Sequence, residues 1–432
     1  MSFDSDMRKR QQRRRQEQKR RQEQQRRLRL RLIFGLIGAV VLVALCILVV
    51  LLVQNAPPSD SLDSTQPGTS QATQPIQTQP TEPETVINLA FGGDLNVTNK
   101  VVSAGNTTDG YDYTGVLMDV VPVLAGADAA VLNFEGNLCG IPYGTAKRSA
   151  PPQLMEALSD AGVDLIQMAN SCAIDNGLLG LSDTLDGIRE HGMEPVGAYA
   201  SVEDFERSGG FTLRNINGLK VAFVAFTKGV NNLGLPEGNE DCVNLLYTDY
   251  TSTYQDVDTE GITKILRAVA QEEPDVTIAL LHWGSEYNNQ ISSSQEKITT
   301  LMQEEGVDAI IGTHSHYVQQ VDYDQQTGSL VAYSLGDFFG DADKNNTNYS
   351  IILELEITKN NQTGETKITE FDYTPIYTMT PIKDKVASTK IIRIEEAIAA
   401  YEANNISKVS PETYEALKTA LSRINSRVEP KE

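Results

Sequence analysis

Residues 32–53, LIFGLIGAVVLVALCILVVLLV, form an unbroken apolar run without one charged side chain, and no other feature of the sequence restricts the architecture as strongly. As a helix rising about 1.5 Å per residue, the run extends roughly 33 Å, enough to cross a hydrocarbon core. Residues 1–31 carry 13 Lys and Arg against 4 Asp and Glu, a net +9, and no Lys or Arg follows the run until Lys100. That asymmetry predicts a single-pass anchor in the cell membrane, with a cytoplasmic N-terminus and the bulk of the chain outside. A cleaved secretory leader would have a shorter apolar stretch and a small-residue cleavage site, whereas Gln54-Asn55-Ala56-Pro57-Pro58 follows here. The basic segment orients the helix and meets anionic lipid, so the bilayer is an expected partner.

The formal net charge of the chain is −22. Removing the +9 of residues 1–31 leaves −31 for residues 32–432, which argues against nucleic acid as a ligand. Anionic groups would have to be met through metal ions or a local basic patch. Cys46 lies in the apolar run, leaving Cys139, Cys172 and Cys242 outside, so at most one internal disulfide can form and the domain is not a disulfide scaffold. Residues 54–85 are rich in Pro, Ser, Thr and Gln and lack aromatics, the composition of a disordered linker. As a coil it spans roughly 30 Å root-mean-square.

From Val86 the pattern changes to alternating strand and helix signals. Strands are expected at VINLAFGGD, AAVLNFEG, VDLIQMANS, Pro195-Val196-Gly197, LKVAFVAFT, DVTIALLHWG, VDAIIGTH and SLVAYSLGD. Helices are expected at DYTGVLMDVVPVLAGA, PPQLMEALSDAG, LLGLSDTLDGIREHG and SSSQEKITTLMQEEG, and late antiparallel strands at NYSIILELEIT and TKITEFDYTPI. The order predicts an α/β domain over residues 86–385 with helices packed on buried sheets. Residues 386–432 read as a C-terminal helical extension, with two amphipathic helices between 391 and 428.

Polar residues fall just past the ends of these strands: Asp94, Glu135, Asn170 with Ser171 and Cys172, His282, His314 with His316, and Asp337. Ligands of open α/β sheets bind at the C-terminal strand ends. Carboxylates, an amide and imidazoles on one edge make a mixed nitrogen–oxygen metal site. Imidazole suits Zn, Mn or Fe, and the hard oxygens also admit Mg. His191, in a helix-terminal His-Gly, reads as a helix C-terminal cation.

Gly93-Asp94, Asn133 to Gly136, Ala169 to Gly177, His282-Trp283-Gly284 with Glu286-Tyr287, Gly312 to His316 and Tyr333 to Phe338 occur in order. In that order and spacing they resemble the CapA family of poly-γ-glutamate capsule-biosynthesis proteins. The resemblance covers roughly residues 86–345. It implies a calcineurin-like metallophosphoesterase fold, a β-sandwich flanked by helices. It further implies a membrane-tethered role toward an anionic surface polymer, with polymer-synthase subunits as partners. Carried over by residue, it makes Asp94, Glu135, His282, His314 and His316 metal-site residues, with Glu135 also catalytic; Asn170, the amide at a strand end, is a further candidate metal ligand. Arg148 becomes a substrate contact, able to hold a carboxylate or phosphate. Glu286 is a second candidate substrate contact, and Asp175 a candidate catalytic residue.

The chain departs from the family pattern where Asn-Asn-His is replaced by Asn170-Ser171-Cys172, and Asp337 stands where the family often has Asn. Ser is a weak neutral ligand, and Cys cannot act as an imidazolium acid near neutral pH. Four readings stay open: the acid comes from elsewhere; Cys172 is a thiolate ligand or nucleophile; the site only binds; or Cys139 and Cys172 form a disulfide. The alternatives for function are a metal-dependent hydrolase or transferase, a non-catalytic accessory subunit of a polymer synthase, and a surface phosphoesterase unconnected with capsule.

Overall fold

A computed structural model describes residues 83–342, 344–404 and 409–428. The basic segment, the apolar run and the expected linker up to residue 82 lie outside the described residues. No helix among the described residues is long and apolar enough to cross a membrane.

The strands are β1 (Glu84–Asn96), β2 (Asn106–Thr107), β3 (Gly110–Tyr111), β4 (Ala129–Glu135), β5 (Leu165–Gln167), β6 (Glu194–Val196), β7 (Thr212–Ile216), β8 (Leu219–Thr227), β9 (Val276–His282), β10 (Ala309–Thr313), β11 (Val321–Asp324), β12 (Ser329–Ala332), β13 (Tyr349–Asn360), β14 (Thr366–Met379) and β15 (Lys390–Arg393). They build a seven-stranded sheet ordered β15-β14-β13-β1-β4-β5-β6 and a six-stranded sheet ordered β11-β12-β10-β9-β8-β7, with β2-β3 as a separate small ribbon. Both large sheets are mixed. In the first, β1, β4, β5 and β6 are parallel and β13–β15 antiparallel; in the second, β8, β9, β10 and β12 are parallel and the edge strands antiparallel. Every residue of β4 and β9 is buried, as expected of central parallel strands covered on both faces. In β13, Leu353, Leu355 and Ile357 are buried while Glu354 and Glu356 between them are not, the period of a strand covered on one face.

One apolar cluster joins residues of both sheets, including Leu89, Phe91, Val221, Phe223, Ile278, Leu353 and Leu355. The helices Pro152–Asp160 and Gly177–Glu190 contribute Leu154, Leu158, Leu181 and Ile188 to it. A second cluster seats the helices Thr259–Gln271 and Ser293–Glu304 on the other sheet through Ile262, Leu266, Ile298 and Met302, around Trp283. The fold is thus a two-sheet α/β sandwich flanked by helices.

Several elements differ from expectation. Residues 112–127 form two short helical turns, Thr114–Leu117 and Val121–Leu124, because Pro122 can neither donate to nor fit within a continuous helix. The strand expected through residue 171 is only Leu165–Gln167, and the one expected through Asp337 stops at Ala332. β1 starts at Glu84, inside the span read as linker. The C-terminal extension is not wholly helical: β15 completes the first sheet against β14 before the helices Ile394–Glu402 and Pro411–Val428. Cys139 and Cys172 are free, so no disulfide joins them.

Candidate metal centre

The site forms where the C-terminal ends of the parallel strands in both sheets meet. In β1 the register against β4 slips between Phe91 and Asp94, at Gly92-Gly93. A Cβ on Gly93 would lie 1.8 Å from the Gly336 carbonyl oxygen, so only glycine lets the two backbones touch. There the Asp94 N–H donates to Gly336 O at 2.9 Å, and the Phe339 N–H donates to Asp94 O at 3.1 Å. Asp94 stays paired with Asn133 of β4 on one side while residues 336–339 take the place of β13 on the other. On the other side, Gly312 at the end of β10 packs against Tyr333 O and the Trp283 indole with no room for a Cβ, which sets the turn that carries His314 and His316.

Asp94 is fully buried. Its Oδ1 accepts from Asn133 Nδ2 at 2.6 Å and its Oδ2 from the His314 backbone N–H at 3.0 Å. His316 Nδ1 lies 3.6 Å from Asp94 Oδ2 and 2.7 Å from Asp337 Oδ1. His282 Nδ1 approaches Asp94 Oδ1 at 3.9 Å and Thr313 Oγ1 at 3.2 Å, while its Nε2 is 3.4 Å from Ser171 Oγ. The His282 and His314 rings are tilted together with centroids 4.4 Å apart. One ligand atom each from Asp94, Glu135 and His316 lie within 4.8 Å of one another.

The charges reflect this crowding. Burial raises the Asp94 carboxyl, with His316 opposing and Asp337 adding to the rise. Burial and then Asp94 push Glu135 well above the usual carboxylate range. Burial, with the neighbouring imidazoles and Lys228, pulls His282 and His314 well below the usual imidazole value, so both are neutral. The His282–Asp94 approach is therefore not an ion pair. His316 behaves oppositely: burial pulls it down, but Asp337, Glu135 and Asp94 carry it up to about 10.

Two buried polar atoms at the site lack any partner, Glu135 Oε1 and His314 Nδ1. A buried carboxylate oxygen and a neutral imidazole nitrogen are costly to leave unpaired. Converging ligand atoms from Asp94, Glu135 and His316, with an unpartnered Glu135 oxygen among them and the unpartnered His314 nitrogen in the same cluster of rings, fit a divalent metal. His314 and His316 both have positive φ, 87° and 59°, a conformation that L side chains rarely adopt and that concentrates at functional sites.

The candidates from the sequence divide accordingly. Asp94, Glu135, His282, His314 and His316 are brought together. Asn170 is not placed as a ligand: its Nδ2 donates to Asn133 Oδ1 and Phe134 O, and its Oδ1 accepts from the Cys172 N–H. It props Asn133, which in turn orients Asp94. Cys172 is 3.8 Å from Glu135 Oε2, and burial plus Glu135 hold its thiol well above the usual value, against a free thiolate in this arrangement. Asp175 accepts from Asn231 Nδ2 at 2.8 Å. Arg148 donates to Asn96 Oδ1 and shares the electrostatic environment of Cys172 and Glu135. Glu286 is exposed and interacts electrostatically with Lys228 and Tyr287. His191 caps its helix, with Nδ1 2.7 Å from Gly187 O.

Asn133 received no role from the sequence, although a signal was there: it stands two residues before Glu135 on one strand, so both face the same side. Lys228 was also overlooked. It follows the last residue of β8 and donates to Gly284 O at 2.7 Å. A cavity of about 1120 Å³ opens elsewhere, lined by Asp308, Asp322 and Arg427 among others and by none of the centre's residues. Volume alone would point away from the chemistry.

The pattern of the family described as bacterial capsule synthesis protein PGA_cap matches residues 88–342. The chain is 25% identical over 319 residues to the PGA biosynthesis protein CapA of Bacillus subtilis (strain 168), covering 71% of this chain and 77% of that protein. It is 28% identical over 281 residues to the capsule biosynthesis protein CapA of Bacillus anthracis, covering 63% of this chain and 64%, just under two thirds, of that protein. Among solved structures, it is similar to the calcineurin-like phosphoesterase YfkN of Bacillus subtilis at a TM-score of 0.41 and 16% identity, over 78% of this chain and 100% of that chain. A phosphatase from Mycoplasma pneumoniae gives a TM-score of 0.41 and 13% identity, over 68% of this chain and 94% of that one. The family match runs over more than half of the chain and takes in Asp94, Glu135, His282, His314, His316 and Asp337, and the chain belongs to the bacterial capsule synthesis protein family PGA_cap.

Proposed function

We propose that this chain is a membrane-anchored, extracytoplasmic protein that binds divalent cations at the Asp94–Glu135–His316 centre and acts there on an anionic cell-surface polymer such as poly-γ-glutamate. Its centre is read as metallophosphoesterase-like, and its partners as the bilayer, the polymer and membrane polymer-synthase subunits. The observation that carries the reading is the pair of unpartnered buried atoms, Glu135 Oε1 and His314 Nδ1, beside two buried carboxylates. Asp94, Glu135, His282, His314 and His316 would hold the metal; the oxygen–nitrogen donor set suits Mn, Zn or Fe, and its hard oxygens admit Mg. When bound, the metal supplies Lewis-acid polarisation of a carbonyl or phosphoryl oxygen and a lowered pKa for water. The chain's own residues do the positioning. Asn133 and the His314 N–H fix Asp94, Asp337 fixes His316, and Arg148 offers a guanidinium to the anionic group. The test is metal analysis of the full-length chain purified without chelator. We expect about one equivalent or more of divalent metal. Less than roughly a tenth of an equivalent, with none taken up on titration, would sink the reading.

A second reading is favoured by one observation. Ser171 and Cys172 stand where the resemblance puts an amide ligand and an imidazole acid, and the Cys172 thiol is held protonated beside Glu135. On this reading the chain guides the polymer as an accessory subunit of a synthase, without relying on the metal-holding imidazoles, and does not cleave it. His314→Ala and His316→Ala would then leave polymer production intact. The hydrolase or transferase reading requires both variants to abolish turnover on phosphoester or γ-glutamyl amide substrates.

A further inference from the structure

Tyr287 lies in the loop after β9, and its ring is fixed from several sides. Its φ is +56°, and its backbone N–H donates to Ser315 O at 2.8 Å. The ring stacks on His316 with centroids 5.1 Å apart and planes 26° from parallel, and the Lys344 ammonium sits 3.1 Å from its centroid. While the ring is held, its hydroxyl makes no hydrogen bond to any of the described residues. The stacking on His316 sets the ring at the edge of the centre, and burial and then Glu286, with Asp337 and Glu135, raise the hydroxyl's pKa while Arg148 opposes the rise. Arg148 comes from a different loop, also at positive φ (48°), and its guanidinium is anchored on Asn96. Asn96 pairs with Glu135 in the β1–β4 ladder, so Arg148 is held on the carboxylate side of the centre while Tyr287 lies against its His316 imidazole, and each acts electrostatically on the other.

We propose that the Tyr287 hydroxyl and the Arg148 guanidinium form a two-donor cradle for an anionic oxygen, phosphoryl or carboxylate, of the ligand held at the Asp94–Glu135–His316 centre. The inference rests on the reading of that centre as a metal site. The pairing is chemically apt: a guanidinium supplies charge and a fork of donors, and a phenol adds a directed hydrogen bond without further charge. It also supplies a donor at a site where the family's imidazole is replaced by Cys172, whose thiol is engaged with Glu135. Lys344 and His316 immobilise the ring, so little freedom is lost when the ligand arrives.

The test uses the full-length chain loaded with Mn²⁺ and two probes titrated separately by calorimetry, inorganic phosphate and glutarate. Tyr287→Phe keeps the ring, its stacking on His316 and its contact with Lys344. We expect bound Mn²⁺ to be unchanged and the Kd of at least one probe to weaken about tenfold, the loss of one hydrogen bond to a charged group. Arg148→Lys, which keeps the charge and loses the fork, should weaken the same probe. Weakening confined to phosphate assigns the cradle to phosphoryl oxygens, and weakening confined to glutarate assigns it to carboxylates; either supports the proposal. Equal affinities in the Tyr287→Phe variant and the unmodified chain, no binding of either probe by the metal-loaded chain, or loss of Mn²⁺ from the Phe variant would each overturn it. Failure of the unmodified chain to take up Mn²⁺ would overturn the metal reading itself, so the two failures are distinct.

Discussion

His316 meets acid on two sides, Asp337 at 2.7 Å and Asp94 at 3.6 Å, and this makes it the most informative single position in the centre. Asp337 fixes the orientation of the His316 imidazole, and under the proposed function it would act on the metal only through that ring. Asp337→Ala should therefore weaken metal binding by roughly 10- to 100-fold without removing it, as a fluorescent-chelator competition would show. An unchanged affinity would mean that His316 is held by something else. The charges give a second prediction. Without metal, His316 is carried up to about 10, so at pH 8 it holds a proton that a metal must displace, and the raised Glu135 carboxyl, lifted by burial and Asp94, acts in the same direction. Binding should release protons at pH 8 and tighten as the pH rises toward 10. Calorimetry in two buffers of different ionisation enthalpy reads the release directly, and identical apparent enthalpies would contradict it. Most of these residues were legible in the sequence because each ends an apolar run, where parallel strands present ligands. Asn170 was misassigned because an amide's partners are set by tertiary neighbours: its hydrogen bonds go to Asn133 and Phe134, on a strand far away in sequence.

At the scale of elements, the site depends on β1 changing partners. It keeps β4 on one side as far as Asn96, but on the other it exchanges β13, after Phe91, for residues 336–339. Gly93→Ala would drive a methyl into the Gly336 carbonyl, so it should cost about 3 kcal/mol or more in denaturant unfolding. A loss below about 0.5 kcal/mol would show that the two backbones separate easily. Leu353→Ala, in the buried middle of β13, should cost roughly 2–5 kcal/mol and leave metal affinity in the folded fraction unchanged. The long apolar strands were legible from their composition. The helix Thr259–Gln271 went unread although Ile262, Ile265, Leu266 and Val269 recur at helical spacing behind an Asp258 cap. β7, β11 and β15 are edge strands of four or five residues, too short for a periodic pattern, and pairing with a neighbour is what makes them strands. Tyr333 and Leu335 extend the alternation of β12, yet the chain turns at Gly336, where φ is +82°, to meet β1. No local pattern encodes that contact.

At the scale of the molecule, the centre draws Asp94 and Glu135 from one sheet and His282, His314 and His316 from the end of the other. A bound cation therefore ties the two together. Metal at about 100 times its Kd should add roughly 2.7 kcal/mol to the stability of the described domain. For a domain of this size, that raises the unfolding midpoint by roughly 4 °C. Scanning fluorimetry with Mn²⁺ and with EDTA measures it, and coincident curves would mean that the ion does not prefer the folded chain. The same construction governs the order of events during synthesis. β1 is among the first strands made, but it lies between β4 and β13, and β13 is not complete until Asn360. A growing chain therefore holds Asp94 and Glu135 long before it has His282, His314 or His316 to set against them, and long before residues 336–339, which brace the Asp94 backbone, exist. If the centre holds a metal as proposed, its full ligand set would exist only once the whole domain has closed, and the choice of ion would then be made at the end of folding.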